Sequence, residues 1–600
     1  MQQKELNFPE NGMQFSEFDR EFGEFLLRQS GNSSPGLLYA GMLIAFELRA
    51  GQCSLELAEY AGKSLLCSSG QVIRIPEYDS WYAELTAPGN REIIAPEYSP
   101  DGRSLLVMPR PGKLMLRRYA DFENCIREAL FSRRKFADVP EFFQTEVNAI
   151  PDLQDMAVFT GINSRLLILS GGPGTGKTTV CGRILAELLR RDPGKKIFFA
   201  APTGKAQKRM AEQIKESAAA YPEDSPLRKA MELIPGATVH SFVYNPRLQQ
   251  ELAFCQLLLL DECSMIPLEL FANILKLLPP EASIILCGDF RQLTSVDSGS
   301  VFGDLCRCGK ANLLPVQGAE LFNSRNGNAG CAVEGDGFSG FIVELQKNYR
   351  SASAPAICRV SASLRDFHPG NAPEYASQLA ALNEADFQCR QIGEDKLTEA
   401  LAEQVNKPRF NGYSLADLPQ LCSSGDETLI AAGLKLAEKF KLICAVRKGD
   451  FGVEAVNFAV MRALNILPEN NLALLPGTIL MITVNDRRTG LRNGDIGVVI
   501  KRNTVAEVCF PGYDGKCVPL IELPEYEYGF AITIHKAQGS GYDDVTLILP
   551  DHASEVLGIE LLYTGISRAA KHLEMWANPE ILQFCLERHR ERSSNLFLCS

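Results

Sequence analysis

Short unbroken apolar runs recur along the middle of the chain: Leu166–Leu169, Ile197–Ala200, Leu257–Leu260 and Ile284–Cys287. Helical stretches separate them, the first starting at Thr178. Apolar runs without alternation predict parallel strands covered on both faces. Their alternation with helices predicts a doubly wound α/β core.

A second set of strand-like runs follows Tyr349: Thr428–Ala432, Phe530–Ile534 and Val545–Leu549. Between them, Gly477 to Pro524 is Gly-rich, alternating and poor in helix signals, as in Gly494–Ile500. That pattern predicts a small β-barrel-like insertion. Near the N-terminus, Leu37–Leu48 reads as a buried helix, and Asn323–Ser339, rich in Gly and Asn, as a long loop.

Composition narrows the class. The 600 residues are enough for roughly three to five domains. Hydrophobic residues make up 46% and charged residues 22%, values of a globular chain. A net charge of −12 excludes a uniformly basic nucleic-acid coat but leaves room for a local basic groove. Residues 1–110 carry nine basic and fifteen acidic side chains, so this unit suits docking to a protein better than binding phosphate. The basic run Arg117, Arg118, Arg127, Arg133, Arg134 and Lys135 reads as a solvated face of a linker helix.

The 18 cysteines form no C-x-x-C pair, and their spacing suits no zinc site. With no secretory signal pattern and no apolar stretch near the roughly 20 residues of a membrane span, the expectation is a cytoplasmic protein with buried, reduced thiols and no membrane association.

Chemistry enters at Gly171-Gly172-Pro173-Gly174-Thr175-Gly176-Lys177-Thr178-Thr179, which fits G-x-x-x-x-G-K-[ST] between a strand and a helix. Glycines there let backbone N–H groups wrap phosphate oxygens, and the helix N-terminus adds positive potential. Lys177 is expected on the β- and γ-phosphates of ATP and Thr178 on Mg²⁺. Asp261-Glu262 ends another apolar run and fits Mg²⁺ binding by Asp261 with water activation by Glu262. Gln292, in Gly288-Asp289-Phe290-Arg291-Gln292, is placed to sense the γ-phosphate.

In this order these segments resemble superfamily 1 DNA helicases. The likeness continues in Ala201-Pro202-Thr203-Gly204-Lys205-Ala206, Thr238-Val239-His240, Leu345-Gln346-Lys347-Asn348-Tyr349-Arg350, Ala531–Ser540 and Tyr563–Ala569. It implies two RecA-like P-loop lobes sandwiching ATP. Gln154 would read adenine. Arg350 and Arg568 would reach across the cleft. Pro202, Thr203, His240, Thr533, His535 and Lys536 would contact single-stranded DNA. The strings Thr533–Ser540, Arg447–Val453 and Asn485–Asp495 narrow the resemblance to the motor subunits of RecBCD-type helicase-nucleases (exodeoxyribonuclease V). Those act on double-strand DNA ends with RecB-type and RecC-type partners and move 5′→3′; the nuclease belongs to the RecB-type subunit. The alternative is a stand-alone 5′→3′ helicase.

The implied division is a mainly helical partner-docking domain (1–110), a linker helix (111–150), lobe one (151–343), lobe two (344–476 and 525–600) and an SH3-like insertion (477–524). Lys177→Gln is expected to abolish DNA-stimulated ATP hydrolysis. Phosphate release measured with single-stranded DNA checks this; undiminished turnover would refute the phosphate-site assignment.

Overall fold

The computed structural model describes residues 15–31, 34–67, 72–143, 152–295, 297–326, 332–333, 337–349, 353–467, 474–502, 505–511, 516–589, 592, 594 and 596. Two parallel sheets dominate them. The first, lobe one, has six strands in the order Ile342–Leu345, Leu166–Gly171, Ser283–Gly288, Leu257–Leu260, Ile197–Ala201 and Gly236–Thr238. Every residue of Leu166–Gly171, Ile197–Ala201 and Leu257–Leu260 is buried, because helices cover both faces.

The second sheet, lobe two, runs Phe387–Arg390, Ala569–Trp576, Tyr542–Ile548, Phe440–Cys444 and Ala531–Thr533, again all parallel. Thr428–Ala432 is no strand: it lies in the helix Glu427–Lys439. Asp426 caps that helix by accepting the Thr428 N–H at 2.7 Å, and Ile430, Gly433, Leu436 and Ala437 are buried at helical spacing. The strand follows immediately, at Phe440.

The insertion is a five-stranded antiparallel sheet, ordered Lys516–Pro519, Val505–Phe510, Ile496–Arg502, Ile479–Ile482 and Tyr526–Tyr528. Its last strand lies past 524, because Leu480 pairs with Tyr528. Not all cysteines are free: Cys509 and Cys517, opposite each other in this sheet, are joined as a disulfide. Antiparallel register places their side chains on the same face, which an expectation from spacing alone does not capture.

The N-terminal unit is less helical than expected. Helices Glu17–Ser30 and Pro35–Arg49 pack beside a four-stranded sheet ordered Ser54–Glu56, Lys113–Leu116, Leu106–Arg110 and Ile94–Ala95. Lys113–Leu116 therefore belongs to this unit, and the linker helix starts at Arg117 and ends at Phe131. Lobe one likewise extends past 343, since Leu345 pairs with Gly171. The expected loop from Asn323 begins inside the helix Val316–Asn326, and Ala332–Val333 forms a short strand; residues 327–331 and 334–336 lie outside the described residues.

The basic run of the linker is an anchor as well as a surface. Arg133, 2% exposed, donates to the carbonyls of Ala282 (2.8 Å), Ala129 (2.7 Å) and Pro279 (2.6 Å). Arg134 donates to Gly337 O at 2.6 Å and covers the Phe131 ring at 3.9 Å. These bonds pin the helix to lobe one, and burial lowers both guanidinium pKa values. Arg133→Met should cost about 3 kcal/mol, because charge-assisted bonds of roughly 1.5–3 kcal/mol are lost. Arg127, bonded within its own helix to Asn124, should cost under about 0.5 kcal/mol when changed to Met. Melting temperatures of the two variants check the ranking.

Candidate active site in the cleft between the lobes

Parallel strands deliver their carboxyl ends to one edge, where open α/β sheets bind ligands. Here that edge gathers the loop after Gly171, Pro202-Thr203, Asp261-Glu262 and Asp289–Gln292. In-register pairing of Leu260 with Ala200 and Leu286, and of Gly288 with Ser170, sets these turns side by side.

The loop turns through Gly174 (φ 80°) and Gly176 (φ 85°) into the helix Lys177–Arg191. A Cβ on Gly176 would meet the flexible tip of Gln154 at 2.4 Å, which can move aside, so it is the positive φ that favours glycine there. Gln154 Nε2 donates to Thr175 O at 3.0 Å. Lys177 Nζ reaches back to the carbonyls of Gly171 (2.5 Å) and Gly172 (3.3 Å). Thr175 Oγ1 donates to Gly172 O at 2.8 Å and braces the turn from behind.

Above this loop lies a cavity of about 450 Å³ between the lobes. Gln154, Gly172, Pro173, Gly174, Gly176, Lys177, Thr178, Thr179, Asp261, Glu262, Gln292 and Arg568 all line it. Gly171 and Thr175 sit behind the wall, and Arg350 lies outside the described residues. Pro202, Thr203, His240, Thr533, His535 and Lys536 are not part of this cavity.

Burial first, and then the charge of Glu262, raises the Asp261 pKa above the usual carboxylate range, while Lys177 and Arg209 oppose the shift. Glu262 holds a left-handed backbone (φ 50°) between the strand and the turn Cys263–Met265. A non-glycine residue there stores strain of about 1–2 kcal/mol, a feature that clusters at functional sites. Thr178 and Asp261 supply the hydroxyl and carboxylate oxygens that suit a hard cation shared with phosphates.

Lobe two closes the cleft through buried polar contacts. Asp289 Oδ2 accepts from Gln292 Nε2 (3.0 Å) and from the Tyr563 hydroxyl (2.8 Å). Leu293 N donates to Thr564 Oγ1 at 2.9 Å, and Gln538 Nε2 donates to Leu293 O at 2.9 Å. Burial and the Asp289 charge push the Tyr563 pKa well up, keeping the phenol a donor. Arg568, 3% exposed, is oriented by bonds to Thr564 O (2.9 Å), Ser540 O (3.0 Å) and Ser567 Oγ (3.0 Å).

Two wall residues, Arg209 and Gln213, lie outside the strings read from the sequence, and Ala206, Tyr349, Ser540 and Ser567 lie inside them without having been given a site role. Ala206, Arg209 and Gln213 share one face of the helix Gly204–Ala218, a spacing that was available to find them. Tyr349 N donates to Gly174 O (2.9 Å), and Asn348 Nδ2 to Pro173 O (3.1 Å), so the end of lobe one clamps the loop.

An AAA domain model matches residues 154–298, and a UvrD-like helicase C-terminal domain model matches 528–575. The RecBCD enzyme subunit RecD of Haemophilus influenzae is 29% identical, covering 78% of this chain and 76% of the relative. That of Mycolicibacterium smegmatis is 27% identical over 92% and 91%. The ATP-dependent RecD2 DNA helicase of Deinococcus radiodurans is 26% identical over 72% of this chain and 50% of its own length. A solved Pif1 helicase from Bacteroides, in complex with ADP-AlF3 and single-stranded DNA, aligns at 18% identity and TM-score 0.35, covering 72% and 94%.

Two parallel lobes, with the nucleotide motifs of one facing the buried arginine of the other, define a superfamily 1 helicase. Within that class the chain is similar to helicases of the RecD type.

Tyr563→Phe removes a buried hydroxyl bonded to a carboxylate, a bond of about 1.5–3 kcal/mol. Turnover number should fall roughly tenfold or more, with KM for ATP changed less, because the bond couples lobes rather than holding nucleotide. Steady-state ATPase assays with saturating single-stranded DNA measure both constants.

Proposed function

We propose that the chain uses ATP hydrolysis in this cleft to move 5′→3′ along DNA, as the motor subunit of a RecBCD-type helicase-nuclease acting on double-strand ends. The observation that carries this reading is that one cavity is walled by Lys177, Thr178, Asp261, Glu262 and Gln292 of lobe one and by Arg568 of lobe two. ATP bound there touches both halves, so its hydrolysis alters their separation.

Lys177 neutralises phosphate charge, and Thr178 with Asp261 would hold Mg²⁺, which would supply charge to stabilise the leaving phosphates. Glu262 takes the proton of the attacking water, Gln292 contacts the γ-phosphoryl group, and Gln154 lies at the adenine end. Arg350 is proposed as a second trans arginine from resemblance alone. Arg568 stabilises transition-state charge, a role worth roughly 10³–10⁵ in rate for arginine fingers.

The DNA path runs over the carboxyl ends of both sheets. Pro202-Thr203 follows a lobe-one strand, and His535-Lys536 follows Ala531–Thr533 of lobe two. The hydroxyls of Thr203 and Thr533 accept from Ala206 N (3.1 Å) and Lys536 N (3.2 Å), fixing the two turns. His240 is exposed at the start of Val239–Tyr244. Thr533, His535 and Lys536 border a cavity of about 640 Å³ that also presents Phe458, 58% exposed. Mixed cationic and aromatic groups suit sequence-independent binding of single strands.

The domain reading becomes a docking unit through Leu116, a linker helix, two RecA-like lobes and an SH3-like insertion between Gly477 and Gly529. The helix Glu17–Ser30 carries Phe18, Phe22 and Phe25 in a stack with 6.3 Å between neighbouring rings; Phe18 is 67% exposed. An exposed aromatic stripe favours a protein partner, here of the RecC type, with the RecB-type subunit completing the assembly. No described helix is long and apolar enough to cross a membrane.

Unwinding of duplexes with a 5′ or a 3′ single-stranded tail tests the motor: 5′-tailed substrates alone should open. Phe18→Ser with Phe25→Ser should abolish capture of the RecC-type subunit in a pull-down and leave ATP turnover within about twofold. Unchanged capture would overturn the docking role and favour a stand-alone helicase.

A further inference from the structure

The cavity has two distinguishable ends. At one, Gln154, Gly176 and Tyr349 lie together. At the other, Glu262, Ala206 and Gly539 meet: a Cβ on Gly539 would stand 3.7 Å from Ala206 Cβ and 3.9 Å from Glu262 Oε1. This second end lies by the carboxylates, and therefore by the terminal phosphate of a bound triphosphate.

Arg209 reaches this end from the helix Gly204–Ala218 of lobe one. Its Nη1 donates to Gly539 O at 3.2 Å, across the cleft. A guanidinium offers five donors, and among the described residues that carbonyl is the acceptor shown for Arg209. Arg209 shares the cavity wall with Lys177, Asp261, Glu262 and Arg568. Next to Gly539, Ser540 lines the same cavity; the residue is 4% exposed, and its buried hydroxyl has no hydrogen-bond partner among the described residues. Lys177, Arg209 and Arg568 outnumber Asp261 and Glu262 in the wall, an excess that suits a polyanion.

We propose that Arg209 is a lobe-spanning contact to the γ-phosphate: with the Ser540 hydroxyl it binds the terminal phosphate of ATP, and through Gly539 O it transmits that phosphate's presence to the loop bearing His535 and Lys536. Lobe two's arginine, Arg568, stands beside Arg209 and donates to the adjacent carbonyl, Ser540 O, at 3.0 Å. Arg209 meets the phosphoryl group from lobe one while holding the lobe-two loop, so loss of the phosphate releases one partner of a pair that the DNA-side loop feels directly. No bond is made or broken by Arg209; its part is to bind and to couple.

The inference rests on reading the cavity as the nucleotide site, and the test separates the two. Purified full-length protein is titrated, with Mg²⁺, against fluorescent ADP and a fluorescent non-hydrolysable ATP analogue, and ATP turnover is measured with and without oligothymidylate. Arg209→Gln should lower the triphosphate-to-diphosphate affinity ratio at least tenfold and hold ADP affinity within about twofold. It should also reduce the fold stimulation by DNA. Arg209→Lys should restore part of the ratio, and Ser540→Ala should shift it in the same direction by a smaller factor, which keeps the test open if Arg209→Gln folds poorly. Unchanged ratio and stimulation in Arg209→Gln would overturn the proposal, as would equal loss of both nucleotides in folded Arg209→Gln and Ser540→Ala. Failure of the unaltered protein to bind either nucleotide would overturn the nucleotide reading and this inference together.

Discussion

The hydrogen-bonded seam between the two parallel sheets is the constraint on which the site depends. Asp289 accepts from Gln292 of its own lobe and from Tyr563 of the other, within 3.0 Å in both cases. Buried in low dielectric, a carboxylate shared by two donors is costly to leave unpaired. The seam therefore holds the lobes at a separation that forms a cavity, and neither lobe alone would supply the full wall. Gln538 and Thr564 extend the seam along the backbone of Leu293. Both belong to segments that also carry cavity residues, Ser540 and Arg568. Bonding between lobes and lining of the site are thus done by the same short stretches of chain.

The surrounding architecture orients this seam. Fully buried strands deliver their turns to one edge of lobe one, and the strand Ile342–Leu345 adds the clamp of Asn348 and Tyr349 over the phosphate loop. The linker helix that joins the N-terminal unit to lobe one is fastened there by Arg133. Contact continues past it: Ser298 Oγ donates to Leu48 O at 3.2 Å, and Gly299 N to Gly51 O at 3.1 Å. The N-terminal unit thus touches the chain a few residues beyond Gln292. The insertion is joined as well, for Arg492 Nη1 donates to Gly204 O at 3.4 Å, at the start of the helix that carries Arg209.

Much of this was legible in the chain because parallel strands buried on both faces have a distinctive composition. Leu257–Leu260 admits few other readings beside a glycine-rich phosphate loop. The loop itself is legible because its spacing is set by phosphate geometry, and Lys177, Thr178, Asp261, Glu262, Gln292 and Arg568 do meet in one cavity. Thr428–Ala432 misled because a short apolar run fits a strand and a buried helix turn equally; the Asp426 cap and the spacing to Leu436 decide it. The N-terminal sheet was missed because its strands are only two to five residues long. The Cys509–Cys517 bond depends on cross-strand register, which composition does not encode. Arg209 lay hidden for a similar reason: its partner Gly539 is 330 positions away in sequence.

The central claim is that the phosphates bound by lobe one complete their reaction against lobe two. Single-turnover ATP hydrolysis by Arg568→Ala, with single-stranded DNA at saturation, tests it most directly. The account predicts a fall of about 10³-fold or more in the hydrolysis rate, with ADP still bound within a few-fold of the unaltered protein. Hydrolysis at the unaltered rate would contradict a shared cleft and leave lobe one as the whole catalyst.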